Sequence, residues 1–270
     1  MIRSPSFLLL ASLAAVLAGG CKPKQENAAQ QQNAEVLVFA AASLREALEE
    51  LGAGFQRENN VRVVFNFAGS NDLAHQIAAT RGPDLFLSAS KGWMDTVQSA
   101  GRVVEGTRRD LLGNTLVVVG HARDTSTVAE PCALATLPFR NLALGDPEAV
   151  PAGTYARTWM QSVRCGGRPL WDAVQARVAP TPDVRAALGL VLADPRVIGI
   201  VYRTDQLAFA DRTRILHQVQ GGPPIRYVLA RLAEGRGGQN ATRFYDYLAG
   251  PTGAEVFRTH GFDPLPAAAP

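Results

Sequence analysis

Lysine is scarce in this sequence of 270 residues: it occurs only at Lys22, Lys24 and Lys91, and arginine supplies the other basic residues. Acidic residues nearly balance the basic ones, and the formal net charge is +3. A charge this small gives no basic surface for binding nucleic acid. The hydrophobic fraction of 47% is ordinary for a globular protein, which excludes a chain that is disordered throughout. We therefore expect a globular protein that has no nucleic acid partner.

The sequence also lacks the common catalytic motifs. It contains no G-x-S-x-G, no P-loop, no H-E-x-x-H and no G-x-G-x-x-G. Ser43 lies at a predicted strand-to-helix turn, where the nucleophile of an α/β hydrolase would lie, but no glycine flanks it at the required spacing. We expect a protein that is not an enzyme; an exported α/β hydrolase that uses Ser43 is the alternative.

No hydrophobic run in the sequence is long enough to span a membrane. The run 7–17 has eleven residues, whereas a spanning helix needs about 20. Arg3 precedes this run and small residues follow it, which is the arrangement of a secretory signal. Residues 18–21, Ala-Gly-Gly-Cys, resemble the end of a bacterial lipoprotein signal, although the usual leucine three positions before the cysteine is Ala18. The resemblance implies a signal peptide over 1–21, a lipid on Cys21, and a periplasmic lipoprotein anchored to a membrane.

Residues 22–34 carry no aliphatic side chain larger than alanine and show no periodic pattern. Such a segment cannot bury enough apolar surface to offset the entropy lost on ordering. We expect a flexible tether between the anchor and the globular body.

Cysteine is rare as well. Apart from Cys21, only Cys132 and Cys165 are present. In an oxidising compartment these two can form a disulfide, and two buried free thiols are the alternative. Neither has a C-x-x-C partner and the four histidines are scattered singly, so we expect no metal site.

From residue 35 onwards, strand-like and helix-like patterns alternate, which indicates an α/β fold with mostly parallel sheets flanked by helices. In such sheets, ligands bind beyond the carboxyl ends of the strands. The predicted strands are 36–40, 61–67, 84–88, 116–119, 142–144, 198–202 and 225–232. The predicted helices are 44–51, 72–80, 93–100, 153–163, 170–176, 184–193, 204–208, 240–248 and 251–259.

Small or hydroxyl residues recur where a predicted strand leads into a helix. Ser43 has the capping-box spacing to Glu46, Ser70 precedes the next helix, and Ala152 and the 182–184 turn open two more. A helix start presents unpaired N–H groups and the positive end of a dipole, so several of them together can hold an anion without a charged side chain. The alternative is that each serine only caps its own helix.

Seven segments together resemble a known family in their order and spacing over about residues 36–262. They are VFAAASL (38–44), FAGS (67–70), LLGN (111–114), GDP (145–147), VPAGTYA (150–156), DVRAAL (183–188) and GIVYRTD (199–205). This set closely resembles the periplasmic molybdate-binding proteins of ABC-type importers. The resemblance implies a two-lobed binding protein of type II, in which residues 35–115 plus 225–270 form the first lobe and 116–224 the second.

The resemblance also implies the ligand set. Ser43 and Ser70 would donate hydroxyl and N–H hydrogen bonds from the first lobe, Ala152 and Val184 would donate N–H bonds from the second, and Tyr202 would donate its phenolic hydroxyl. The family further implies delivery of molybdate to permease subunits, no cofactor, and a monomeric protein.

A site built only of donors distinguishes anions by their protonation. Molybdate is fully ionised near neutral pH, whereas phosphate keeps a proton for which the site has no acceptor. Cavity size must then separate molybdate from sulfate, and tungstate, which is nearly as large as molybdate, is expected to bind as well. We expect Arg185 to face solvent. A two-lobed sensor or scaffold that does not take part in transport is the second alternative.

Overall fold

A computed structural model describes residues 35–266 of the protein. The predicted signal peptide 1–21, the lipid site Cys21 and the tether 22–34 lie outside the described residues. Within 35–266, no helix is both long and apolar enough to cross a membrane.

Strands and helices alternate along the chain, as the sequence pattern predicts. The strands are β1 (Glu35–Ala41), β2 (Arg62–Ala68), β3 (Leu85–Ser88), β4 (Arg109–Asn114), β5 (Leu116–His121), β6 (Asn141–Gly145), β7 (Arg164–Cys165), β8 (Arg168–Pro169), β9 (Val178–Thr181), β10 (Val197–Tyr202), β11 (Thr213–Gln218), β12 (Ile225–Arg231) and β13 (Asp263–Pro264). The α-helices are α1 (Arg45–Asn59), α2 (Ser70–Ala79), α3 (Lys91–Ser99), α4 (Pro151–Ser162), α5 (Leu170–Val174), α6 (Val184–Ala193), α7 (Arg203–Leu207), α8 (Gly238–Ala249) and α9 (Pro251–Thr259). Pattern analysis missed β4, β9 and β11 because none of them has the uninterrupted apolar run of a strand that is buried on both faces.

Two large sheets form two lobes. The first lobe contains a six-stranded sheet in the order β13-β4-β12-β3-β1-β2, and the second lobe a five-stranded sheet in the order β11-β5-β10-β6-β9. The chain passes from the first sheet to the second at Thr115 and returns over 219–224. The α/β, two-lobed class is therefore confirmed. The lobe boundaries predicted from the resemblance agree with this division of strands and remain a prediction for the residues outside the described part.

The sheets are mixed, and the expectation of mostly parallel sheets is wrong. Strand β1 is parallel to β2 and β3, and β6 is parallel to β9 and β10. Strand β12 is antiparallel to β3 and β4, and β5 is antiparallel to β10 and β11. The sheets are mixed because the chain crosses twice between the lobes. It leaves the first sheet at the end of β4 and returns in β12, which pairs antiparallel with β4. In the second sheet, β5 starts at the cleft, where β10 ends, so these two strands are antiparallel.

The strand cores are apolar on both faces, as the continuous hydrophobic runs predict. In β1, the side chains of Val36, Val38 and Ala40 are fully buried on one face, and Phe39 on the other face is 8% exposed. Helices cover both sides of this sheet: α1 and α8 pack together on one side, where the rings of Phe55 and Phe244 lie 4.9 Å apart. The parallel strands are thereby held with their carboxyl ends at the cleft between the lobes.

A disulfide joins the two remaining cysteines. Cys165 lies in the β7–β8 hairpin, and its sulfur is bonded to that of Cys132, 33 residues earlier. The hairpin turns at Gly166 and Gly167, which have φ values of 58° and 85°. Two consecutive residues with positive φ are the geometry of a tight hairpin turn that favours glycine. Of the two alternatives that the sequence leaves open for these cysteines, the structure has the bonded pair.

Candidate functional site

The cleft between the lobes contains a cavity whose empty space, counted together with the open solvent at its mouth, is about 210 Å³. Its walls come from the carboxyl ends of strands and the helix starts that follow them in both lobes. The lining residues are Ala41, Ala42, Ser43, Ala68, Gly69, Ser70, Ala89, Val150, Pro151, Ala152, Asp183, Val184 and Tyr202. All five residues of the predicted ligand set are among them, although they are spread over 160 positions of the chain. Their role as ligands remains a prediction.

Ser43 reaches the cavity from a short 3₁₀ turn, Ala42–Leu44, that separates β1 from α1. The predicted capping box with Glu46 is not formed, because α1 begins only at Arg45 and no side chain caps it. The hydroxyl oxygen of Ser43 instead lies 2.8 Å from the hydroxyl of Tyr227 in β12. A polar group that is 97% buried must find a partner, and for Ser43 that partner lies on a strand distant in the sequence.

Ser70 is the first residue of α2 rather than its cap, which corrects the second capping prediction. Its backbone N–H is therefore one of the helix-start groups that have no partner within the helix. Its hydroxyl oxygen accepts a hydrogen bond of 3.0 Å from the N–H of Ala89, at the end of β3. This bond uses the oxygen and not the proton, and no described hydrogen bond engages the proton, so it is available to the cavity.

The second lobe contributes the start of α4. Pro151 occupies the first helical position and has no N–H group, so the first free N–H of this helix belongs to Ala152. The helix start lies close against the end of β6, since a methyl group on Gly153 would overlap the carbonyl oxygen of Gly145. Glycine at this position lets the N-terminal end of α4 approach the cavity.

The start of α6, unlike that of α4, is capped by a side chain. The carboxylate of Asp183 caps the helix by accepting hydrogen bonds from the N–H groups of Arg185 (2.7 Å) and Ala186 (2.9 Å). The cap leaves the N–H of Val184 unused, and Val184 lines the cavity. The carboxylate that comes nearest to the cavity is thus committed to its own helix.

Tyr202, at the end of β10, is almost fully buried; its hydroxyl lies near that of Tyr227 but forms no hydrogen bond of normal geometry within residues 35–266. Burial raises the pKa of Tyr202 well above its ordinary value, so the phenol is neutral and keeps its proton. A buried hydroxyl without a partner costs free energy. The Tyr202 hydroxyl is therefore the clearest sign in the cavity that a ligand completes the site.

No lysine or arginine among the described residues lines this cavity. An anion held here would be bound by N–H and O–H groups and by the dipoles of the helices that start at its walls. Within the same residues, no group of three or more histidine, cysteine, aspartate or glutamate side chains is arranged to hold a metal cation. The donor set therefore suits a small oxyanion.

The expectation that Arg185 faces solvent is wrong. Its guanidinium forms ion pairs with Asp205, at 2.6 Å, and with Glu46. Asp205 is fully buried, and burial raises its pKa to about 6, while the charge of Arg185 acts in the opposite direction. Glu46 belongs to α1 of the first lobe, so this pair crosses the cleft.

Two further contacts cross the cleft beside the cavity. The indole Nε1 of Trp93 in α3 donates to the carbonyl of Ala149 at 2.8 Å, and the hydroxyl of Tyr155 in α4 donates to the carbonyl of Ala89 at 3.3 Å. Sequence analysis missed these residues. An indole or phenol at a helix position normally indicates core packing, and nothing local in the sequence distinguishes one that faces another lobe.

The hydrolase alternative requires a histidine at Ser43. The described partner of the Ser43 hydroxyl is a tyrosine; His260, which lines a neighbouring cavity with Ser43 and pairs with Glu50, forms no described hydrogen bond with Ser43. This arrangement lacks the base that a serine nucleophile needs.

Comparisons with known proteins agree with the geometry. The family described as bacterial extracellular solute-binding protein matches residues 36–263. The molybdate-binding protein ModA of Escherichia coli (strain K12) is 37% identical over 233 residues, which cover 84% of this chain and 88% of that protein. The putative ABC transporter substrate-binding lipoprotein YvgL of Bacillus subtilis (strain 168) is 29% identical over 265 residues, 97% of this chain and 99% of that protein.

A solved structure shows the same fold. The periplasmic molybdate-binding protein of Azotobacter vinelandii matches with a TM-score of 0.74 and 20% sequence identity, over 86% of this chain and 99% of that one. The family match spans most of the sequence, and the resemblance based on the seven segments is confirmed. The chain belongs to the bacterial extracellular solute-binding proteins.

Proposed function

We propose that this protein binds molybdate in the cavity between its lobes and delivers it to the permease subunits of an ABC-type importer. The observation that carries the proposal is the Tyr202 hydroxyl, which is buried and neutral and forms no hydrogen bond of normal geometry in the described structure. The other polar groups that face the cavity are serine hydroxyls and helix-start N–H groups. A ligand that has several oxygen acceptors and no proton satisfies such a set, whereas a ligand with a proton leaves that proton unpaired.

The names of the relatives support the same ligand. The Escherichia coli relative is named a molybdate-binding protein, and it is the more similar of the two relatives compared above. Tungstate has the same charge and shape as molybdate, so we propose that it binds as well. Sulfate is smaller, and we propose that the width of the cavity between Ser43 and Val184 disfavours it.

Under this proposal the protein is an exported binding protein and not an enzyme, and it acts as a monomer without a cofactor. The name of the Bacillus subtilis relative, a substrate-binding lipoprotein, supports an anchor at Cys21 after removal of a signal peptide 1–21. Residues 22–34 would then tether the lobes to the periplasmic side of the membrane.

Calorimetry and thermal unfolding of the mature chain with molybdate, tungstate, sulfate and phosphate test the proposal. We expect molybdate and tungstate to raise the unfolding temperature, by an amount that grows with the ratio of ligand concentration to Kd, and we expect no shift with phosphate. Binding of none of these anions would favour a sensor or scaffold and contradict the proposal. Turnover of ester substrates would favour the hydrolase.

The Ser43→Ala variant tests the site itself. We expect it to weaken molybdate binding by about 1–3 kcal/mol, because a charged oxygen in a buried site loses a donor. Ser162→Ala is the matched control: its hydroxyl donates to the carbonyl of Trp159 at the end of α4 and does not line the cavity. Equal affinities of the two variants would exclude Ser43 as a ligand.

A further inference from the structure

A row of buried polar side chains lies beneath the cavity and ends at Ser43. Tyr227 is inaccessible to solvent, and Asn114 is 8% exposed. The Tyr227 hydroxyl lies 2.8 Å from the Ser43 oxygen, and the Asn114 Nδ2 atom lies 3.3 Å from the same tyrosine hydroxyl. Each of these groups can place its protons in one direction or another, and the direction decides what Ser43 presents to a ligand.

The amide of Asn114 has a defined orientation. Its Oδ1 atom accepts a hydrogen bond of 2.8 Å from the N–H of Thr115, and its Nδ2 atom donates to the hydroxyl oxygen of Thr204 at 3.0 Å. Rotating the amide by 180° would place an oxygen against the hydroxyl of Tyr227 and a nitrogen against a backbone N–H, which would lose the latter bond. The Asn114 atom that faces Tyr227 is therefore a donor.

The proton of Tyr227 then has one acceptor at normal hydrogen-bond geometry, because the nearby hydroxyl of Tyr202 forms no such bond within residues 35–266. The described hydrogen-bond partners of its hydroxyl are Asn114, which donates, and Ser43. Burial raises the pKa of Tyr227, so the phenol keeps its proton. Because an unpaired proton in a buried site is costly, Tyr227 donates to Ser43. Ser43 then cannot donate to Tyr227, and its own proton is left for the cavity.

The Ser70 hydroxyl also has its proton free, but a different group donates to its oxygen. Its hydroxyl oxygen accepts from the N–H of Ala89 at 3.0 Å. Both serines of the cavity thus have their oxygens engaged as acceptors and their protons free. The donor to the Ser70 oxygen is a backbone N–H group, whereas the donor to the Ser43 oxygen is the side chain of Tyr227, which a substitution can remove.

We infer that Tyr227, oriented by Asn114, is a positioning residue that directs the proton of Ser43 at the ligand and thereby sets the preference of the site for oxyanions without a proton. The inference rests on the proposed function and deepens it. Without the tyrosine hydroxyl, the Ser43 hydroxyl can rotate and accept a proton from a ligand.

The test is the ratio of the affinities for phosphate and sulfate, measured by displacement of molybdate at about pH 8, where phosphate is mainly a dianion that carries one proton. The two anions then have the same charge and similar size and differ in that proton. In Tyr227→Phe we expect the phosphate-to-sulfate affinity ratio to rise about tenfold over the wild type, and molybdate affinity to fall severalfold. Tyr245→Phe is the matched control, because the Tyr245 hydroxyl donates to the carbonyl of Thr107 at 2.6 Å and does not line the cavity.

Asn114→Asp reverses the direction of the chain. An aspartate accepts the proton of Tyr227, Tyr227 accepts that of Ser43, and Ser43 becomes an acceptor. The added negative charge repels both dianions alike, so the ratio isolates the effect of the proton. We expect a larger rise of the ratio than in Tyr227→Phe. If thermal unfolding shows that Asn114→Asp is not folded, Tyr227→Phe decides alone.

The outcomes separate this inference from the proposed function. A wild type that binds no molybdate overturns the proposed function. A wild type that binds molybdate, together with a Tyr227→Phe variant whose phosphate-to-sulfate ratio equals that of Tyr245→Phe, overturns the inference alone. A uniform loss of affinity for all three anions in Tyr227→Phe also overturns it, because a merely structural role for Tyr227 would have that effect.

Discussion

Replacing Glu46 by glutamine removes the negative charge that connects the two lobes. Glu46 lies in α1 of the first lobe, and its carboxylate forms a two-pronged pair with the guanidinium of Arg185 at the start of α6 in the second lobe. It is the one ion pair within residues 35–266 that crosses the cleft. The pair exists only while the lobes are in contact, so its free energy favours the closed, ligand-holding arrangement and is absent when the lobes are apart.

The size of the effect follows from the exposure of the two side chains. Arg185 is 15% exposed and Glu46 is 34% exposed, between a surface pair, which is worth about 0.2–1 kcal/mol, and a fully buried one. The two-pronged geometry adds to the strength of the pair, whereas Asp205 keeps the guanidinium paired after the substitution. We therefore expect Glu46→Gln to weaken molybdate binding by about 1–2 kcal/mol, or about five- to thirtyfold, mainly through faster release.

Glu49→Gln provides the comparison. Glu49 lies one turn further along α1 and pairs with Arg45 of the same helix at 3.3 Å, so its pair does not cross the cleft. Calorimetry and stopped-flow release of molybdate from both variants measure the difference, and raising the ionic strength should reduce it because the pair is partly exposed. Equal affinities and equal release rates of Glu46→Gln and Glu49→Gln would refute the argument that this pair stabilises the closed arrangement.

Two further predictions concern the second lobe. In Gly153→Ala, the added methyl group overlaps the carbonyl oxygen of Gly145, so we expect a loss of about 1–3 kcal/mol in the free energy of unfolding and weaker molybdate binding by calorimetry. Gly189→Ala, whose methyl group meets no atom within 4 Å, should raise the free energy of unfolding by about 0.5–1 kcal/mol and leave binding unchanged, and equal losses in the two variants would contradict this steric explanation. Burial raises the pKa of Asp205 from 3.8 to about 6. Between these pH values the folded protein holds a proton that the unfolded chain has released. The free energy of unfolding should therefore fall by about 3 kcal/mol as the pH rises from 3.8 to about 6. Urea unfolding should show that Asp205→Asn lacks this pH dependence; a difference from the wild type that stays constant with pH would disprove it.

Local chemistry made part of the site predictable. Hydroxyl and small residues at strand-to-helix junctions are visible in the sequence because strands and helices differ in their hydrophobic period, and helix starts carry unpaired N–H groups wherever they lie in a fold. Ser43, Ser70, Ala152 and Val184 were predicted on that basis and line one cavity. Tyr202 could be proposed only from the resemblance, because a tyrosine at the end of a buried strand has no local feature that separates a donor from a core side chain.

The amino-acid sequence alone determined the α/β class, the alternation of elements and the small or hydroxyl residues at the predicted junctions. Only the tertiary structure decided which partners these residues have. Ser43 and Tyr227 are 184 residues apart and meet because β12 returns from the second lobe into the first sheet beside β3. The same return of the chain makes the first sheet mixed. Arg185, predicted to face solvent, instead forms an ion pair with Glu46 because the two lobes are in contact. Periodicity and capping depend on neighbours a few positions apart, whereas strand order and the approach of two lobes depend on the packing of the whole chain, which no short segment encodes.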